Sequence, residues 1–241
     1  MQLKDASILV VDDEPLLLKL VGEWFESVAR RVFLAGEGVE ALQVLDRNMI
    51  DLIIADVRMP GMNGIRLLKE IKAKQGYTSH VIFITGFADI DTREAYDLGA
   101  EAFLEKPFGR DDLINAAKRS LAERDRLWQT PPDLAAHPTL AASFASLTSA
   151  LHEHRITFGR GGFCMETKQL LAEGPVNIKL DFKADKYVLS GQGMVRWLLP
   201  ERSQVGVELT HVAKESRERV LRLTERSASF IPNPVRTLTA G

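Results

Sequence analysis

Ile53-Ile54-Ala55-Asp56-Val57-Arg58-Met59-Pro60-Gly61 places one carboxylate at the end of an apolar run, immediately before a Pro-Gly turn. A short continuous apolar run bounded by turn residues reads as a strand buried on both faces, the form that parallel sheets take. Three more such runs lead to polar side chains. Ile8 to Val11 runs into Asp12-Asp13-Glu14, Val81 to Ile84 into Thr85, and Phe103-Leu104 leads to Lys106-Pro107. In an open α/β sheet the ligand site lies outside the carboxyl ends of the strands. Acids, a hydroxyl and an ammonium are therefore expected along one sheet edge, a set of groups suited to phosphoryl transfer.

Working outward, strand and helix patterns alternate to about residue 126. Strands are expected near Ser7–Val11, Arg31–Ala35, Asp51–Ala55, His80–Ile84 and Ala102–Leu104. Between them, Leu16, Leu17, Leu20, Val21, Trp24 and Phe25 recur at helical spacing, as do Val39, Leu42, Val44 and Leu45, then Ile65, Leu68 and Ile71. Repeated βα units imply a doubly wound parallel sheet with right-handed crossovers and helices on both faces.

These residues resemble the receiver domain of two-component response regulators. The acidic pair Asp12-Asp13, Asp56, Met59-Pro60-Gly61-Met62-Asn63-Gly64, Thr85 and Lys106-Pro107 occur in that family's order. The resemblance implies a flavodoxin-like fold with strand order 2-1-3-4-5. It also implies Mg²⁺ held by Asp13, Asp56 and the backbone carbonyl of Arg58, with Asp12 acting through water. Crowded carboxylates and hard oxygen ligands suit that ion. Asp56 would accept a phosphoryl group from a histidine kinase or phosphotransfer protein, assisted by Lys106 and Thr85. Lys106-Pro107 is expected to be cis, and Phe103 is either a switch aromatic, as the resemblance implies, or a strand residue packed in the core. Phe87, bulky beside Thr85, is expected to slow hydrolysis of the acyl phosphate.

Composition narrows the remaining classes. The 241 residues carry 31 basic and 33 acidic side chains, a balance that disfavours generic binding to nucleic acid or membrane surfaces. The single cysteine, Cys164, excludes an internal disulfide framework and a multi-cysteine zinc site. No apolar stretch approaches the roughly 18 residues that a membrane span needs. The N-terminus lacks a signal-peptide core, and a cytoplasmic location is expected.

The second half changes period. A helical pattern over Asp111 to Trp128 extends the last receiver helix and stops at Pro131-Pro132. A second helix is expected from Pro138 to His152, where Leu140, Phe144, Leu147 and Leu151 form a short coiled-coil-like seam. That seam offers either a homodimer contact or packing on its own domain. From Ile156 the pattern alternates. Val176, Ile178, Leu180 and Phe182 interleave with polar residues, as do Val205, Val207 and Leu209. A small antiparallel barrel with a bend at Gly191 and Gly193 is expected, closed by a helix over Ala213–Ser227. The domain plan is thus 1–126 receiver, 127–154 linker, 155–228 barrel and 229–241 disordered tail.

Arg160-Gly161-Gly162-Phe163, Leu171-Ala172-Glu173-Gly174, Val195-Arg196-Trp197 and Val205-Gly206-Val207-Glu208-Leu209 resemble the PilZ domain, a family that typically binds cyclic di-GMP. At the Asp/Asn-x-Ser-x-x-Gly motif of that family this chain has Thr157-Phe158-Gly159-Arg160-Gly161-Gly162, so only the last glycine matches. Arg155 and Arg160 are the arginines left to contact such a ligand. A signalling protein acting on a downstream protein target is therefore expected. A dual sensor of phosphorylation and cyclic di-GMP is the alternative. A DNA-binding regulator fits less well, because the output pattern offers a single helix after the strands. No enzymatic output is expected, since residues after Ile156 carry neither a nucleophile-base set nor a phosphate-cradling loop.

Overall fold

Ser7–Val11 (β1) and Leu52–Asp56 (β3) are buried at every position, as continuous apolar runs in the middle of a parallel sheet should be. The computed structural model describes residues 1–74, 78–86, 92–224 and 227–233. Contacts divide the chain into two compact units, one of Met1–Asp91 with Leu98–Ala122, the other of Thr92–Asp97 with Glu123–Gly241.

In the first unit β1 and β3 are joined by β2 (Arg31–Ala35), β4 (His80–Thr85) and β5 (Ala102–Glu105), in the order β2-β1-β3-β4-β5. All neighbours are parallel. The helices α1 (Pro15–Glu26), α2 (Gly38–Arg47), α3 (Gly64–Ala73) and α5 (Arg110–Leu121) complete a flavodoxin-like doubly wound fold. The apolar stripe on α1 is narrower than its sequence suggests. Val21 and Phe25 are fully buried, whereas Leu16 is 86% exposed, because consecutive leucines cannot share one face of a helix. On α5, Leu113, Ala117 and Leu121 pack with Ile8, Val10 and Ile54 in one core. Each large apolar side chain so buried contributes about 1.5–3 kcal/mol.

The second unit opens with α4 (Thr92–Leu98) as far as Asp97 and resumes at α6 (Arg124–Trp128). Its sheet contains β6 (Thr139–Phe144), β7 (Ile156–Phe158), β8 (Gly162–Glu166), β9 (Gly174–Phe182), β10 (Tyr187–Leu199) and β11 (Gln204–Val212). Their order is β6-β9-β10-β11-β8-β7. The short α7 (Leu147–His152) separates β6 from β7, and α8 (Lys214–Thr224) follows β11. Val176, Ile178, Leu180 and Phe182 of β9 are buried, as their alternation requires. Gly191 and Gly193 allow close strand approach. A Cβ there would lie 2.2 Å from the His211 carbonyl oxygen and 2.6 Å from that of Glu208, and the β10 register shifts between Gln192 and Gly193.

Three expectations about this half are corrected. The helix expected from Pro138 to His152 is a strand followed by a short helix. Leu140 and Phe144 lie in β6, parallel to β9 and buried in the core, and Leu147 is buried with them. A spacing of four fits both periods, two and about 3.6, so the free edge of β9 decided between them. Of the two readings of the seam, packing on its own domain is the one seen, with Leu140, Phe144 and Leu147 buried in the core of the second unit. The sheet is consequently mixed rather than antiparallel, a half-barrel with β6 and β7 at its two ends. The expected extension of the last receiver helix breaks at Ala122, whose ψ of 146° is extended, and α6 delivers Trp128 to the second core. Trp128 is fully buried, and its Nε1 donates to the Leu209 carbonyl at 3.0 Å.

The tail is corrected as well. Phe230 and Ile231 are 1% and 0% exposed, so residues 229–233 are packed rather than disordered, and residues 234–241 lie outside the described set. Among the described residues, no helix is long and apolar enough to cross a membrane.

Candidate phosphoryl-transfer site

The carboxyl ends of β1, β3, β4 and β5 bring the expected polar residues to one edge. Asp12 and Asp56 are buried, and Asp13 is exposed. Each can offer a carboxylate oxygen such that all three lie within 4.8 Å of one another. Lys106, just past β5, reaches across them. Its Nζ lies 2.7 Å from Asp56 Oδ2, 3.1 Å from Glu14 Oε1 and 3.4 Å from Asp12 Oδ2. The Lys106–Pro107 peptide is cis.

Local geometry fixes each carboxylate. The Glu14 N–H donates to Asp12 Oδ1 at 2.8 Å, and the Arg58 N–H donates to Asp56 Oδ1 at 3.1 Å. Both are bonds to a residue two positions back, which orient the acid where its strand ends. Beyond Asp56, Asn63 caps α3 by accepting from the Arg66 N–H at 2.8 Å. Gly64 has no room for a side chain, since a Cβ there would lie 2.4 Å from the Asp56 carbonyl oxygen. The Met59–Gly64 segment thus folds back tightly against the backbone of Asp56 and Val57.

Electrostatics follow from crowding. Burial pushes the Asp12 carboxyl above its ordinary value, and the nearby Asp56 charge acts in the same sense. The Glu14 N–H and the Lys106 ammonium only partly oppose them. For Lys106 burial pulls downward. Hydrogen bonds to Asp56 and Glu14 and the charges of Asp12 and Asp56 outweigh it, so the ammonium is held well above its usual range. The ammonium therefore stays charged beside the acid cluster.

The Thr85 carbonyl accepts from the Lys106 N–H at 2.8 Å, which ties the end of β4 to the residue just past β5. The Thr85 hydroxyl donates to the Gly86 carbonyl at 2.8 Å. Phe103 is half-buried on β5, with its ring centroid 5.7 Å from that of Phe83. Phe87 lies outside the described residues. Glu14 was legible only as part of an acidic run at a helix start, and its ion pair with Lys106 had no sequence signal of its own.

Arg155 and Arg160 flank opposite ends of β7. Arg155 is exposed, stacks 5.2 Å over the Phe144 ring and lines a cavity of about 440 Å³ with Ser143, Lys168, Gln169 and Ser203. Arg160 sits in the turn between β7 and β8, where its N–H donates to the Ser229 carbonyl at 2.8 Å.

The sequence matches the profile of the response regulator receiver domain over residues 8–118. Sporulation initiation phosphotransferase F of Bacillus subtilis is 34% identical over 115 residues, 47% of this chain and 92% of that protein. The transcriptional regulatory protein GlrR of Escherichia coli is 38% identical over 131 residues, 52% of this chain but only 29% of the relative's length. A receiver domain from Clostridium thermocellum of known crystal structure is 34% identical, with 48% of this chain and 94% of that chain covered and a TM-score of 0.45.

Proposed function

We propose, from the premise that this chain belongs to the response regulator receiver family through residues 8–118, that Asp56 is the phosphoacceptor of a two-component signalling protein. The observation that carries this reading is the Lys106 Nζ–Asp56 Oδ2 contact of 2.7 Å inside a cluster of three aspartates. An Asp56 oxygen attacks the phosphorus of a phosphohistidine on a histidine kinase or phosphotransfer protein. The P–O bond forms as the P–N bond breaks, and the imidazole leaves with the electron pair and takes a proton. Lys106 holds the attacking carboxylate before transfer and a phosphoryl oxygen after it.

The donor set fits a small hard cation, with carboxylate oxygens in reach of one another and room for water at exposed Asp13. Asp13, Asp56 and the Arg58 backbone carbonyl would hold Mg²⁺ directly, and Asp12 would hold it through water. Bound there, the ion supplies charge neutralisation on the transferring oxygens. The Thr85 hydroxyl leaves the Gly86 carbonyl to donate to the arriving phosphoryl group. Phe103 then turns from Phe83 into the space that Thr85 vacates.

The second unit is the output, and it acts on a downstream protein by direct interaction in the cytoplasm. The product of the chemistry is the modified chain itself, so the protein is a signal carrier and not an enzyme. The order of glycines and strands in this unit supports its PilZ-like reading. The cavity beside Arg155 and Lys168 favours a second reading, a site for cyclic di-GMP. Titration calorimetry with that dinucleotide separates the two: heat that saturates and is lost in Arg155→Ala establishes the dual sensor.

The phosphoacceptor assignment is tested with acetyl phosphate and Mg²⁺. The wild-type chain should take up one phosphoryl group and Asp56→Asn none. Equal labelling of the two would overturn it.

A further inference from the structure

Most of α4 packs within the second unit, where it meets the segment 229–233. The Phe230 N–H donates to the Tyr96 carbonyl at 2.8 Å, and the two rings stack with centroids 6.0 Å apart. Asp97 Oδ1 accepts from the Ser229 hydroxyl at 2.8 Å and from the Asn233 N–H at 3.1 Å. The other side of the segment runs along the glycine-rich turn after β7. There the Arg160 N–H donates to the Ser229 carbonyl and the Gly161 N–H to the Phe230 carbonyl, at 2.8 and 2.9 Å.

The seat is shaped for its occupant. A Cβ on Gly161 would lie 2.2 Å from the Phe230 ring, and one on Gly159 would lie 2.5 Å from the Phe230 carbonyl oxygen. The Arg124 guanidinium stands 4.8 Å over the same ring. Backbone hydrogen bonds on both sides and a buried aromatic anchor are the devices by which an extended peptide ligand is held. Residues 229–233 therefore bridge α4 and the glycine-rich turn as an internal ligand.

We infer that Ser229–Asn233 is a latch that holds α4 and is released when Asp56 is phosphorylated, an inference that rests on the phosphoacceptor reading above. Six residues of chain lie between Thr85 and the start of α4, so the threonine proposed to meet the phosphoryl group and the latched helix are close neighbours in sequence. By linkage, anything that loosens the latch favours the phosphorylated state, and phosphorylation loosens the latch by the same factor.

The test uses the full chain with Mg²⁺ and beryllofluoride as the phosphoryl mimic, and reads hydrogen exchange at Gly161, Phe230 and α4. Protection at these amides should fall when beryllofluoride binds. Asp97→Ala, which removes two hydrogen bonds at a half-buried position, and Phe230→Ala should each bind beryllofluoride about five-fold or more tightly than the wild type. Should Phe230→Ala not fold, Asp97→Ala decides. Beryllofluoride that binds with unchanged protection, or with wild-type affinity in Asp97→Ala, overturns the latch alone. Failure of the wild-type chain to bind it at all overturns the phosphoacceptor reading and the latch with it.

Discussion

Lys106 faces three acids with its side chain 23% exposed, so removing it leaves like charges crowded at a largely buried edge. Lys106→Ala should cost roughly 1–3 kcal/mol, the range for hydrogen bonds to charged groups, as measured by urea denaturation. The sign of its pH dependence follows from the raised value. The ammonium stabilises the folded state fully below its ordinary 10.5 and loses that effect only as pH rises through the higher folded value. The gap between wild type and Lys106→Ala should thus stay constant from pH 6 to 9 and shrink only in more alkaline solution. A gap that closes near neutrality would show that the ion pair is not its source. Cys164 illustrates the opposite outcome, a chemically capable side chain held inert. It is 2% exposed, and burial, reinforced by the charges of Glu166 and Asp97, pushes its thiol well above the usual range. Iodoacetamide at pH 8 should leave it unmodified until denaturant is added.

Among the elements, α3 is the one that the site depends on most directly, because its first turn closes beneath Asp56. Asn63→Ala removes the cap bond to the Arg66 N–H and should cost about 1 kcal/mol in thermal or urea unfolding. Gly64→Ala should cost more, since its Cβ would meet the Asp56 carbonyl oxygen and the Phe83 ring. It should also slow phosphoryl uptake by displacing Asp56, an effect that Asn63→Ala should largely lack. Element identity was legible wherever one period ruled alone, as in β3, β9 and β11. It was not legible at residues 139–144. There Leu140 and Phe144 satisfy helix and strand alike, and the edge offered by β9, more than thirty residues later in the chain, settled the matter. The break at Ala122 is similar, because no proline or glycine marks it. Trp128 is required in a different core from Leu121, and that requirement is visible only in three dimensions.

Across the whole molecule, each unit has apolar side chains of its own to bury, and Trp128 belongs to the core of the second unit. Trp128→Ala should cost about 3–5 kcal/mol, typical of a large aromatic truncated in a core. That loss should fall on the second unit, so hydrogen exchange should rise in β9 to β11 while β1 and β3 keep their protection. Equal loosening of both units would contradict the division into two compact units. The sequence by itself determined the parallel sheet, its strand order through family resemblance, and the edge where Asp12, Asp13, Asp56, Thr85 and Lys106 gather. Those features rest on local apolar runs and on the rule that ligands meet strand ends, which single segments can carry. Tertiary structure alone decided that Glu14 joins the Lys106 network, that β6 is a strand, and that Phe230 fills the space left by Gly159 and Gly161 against Tyr96. Each of these depends on two segments far apart in the chain completing one another's hydrogen bonds or filling one another's voids. No periodicity within either segment encodes that complementarity.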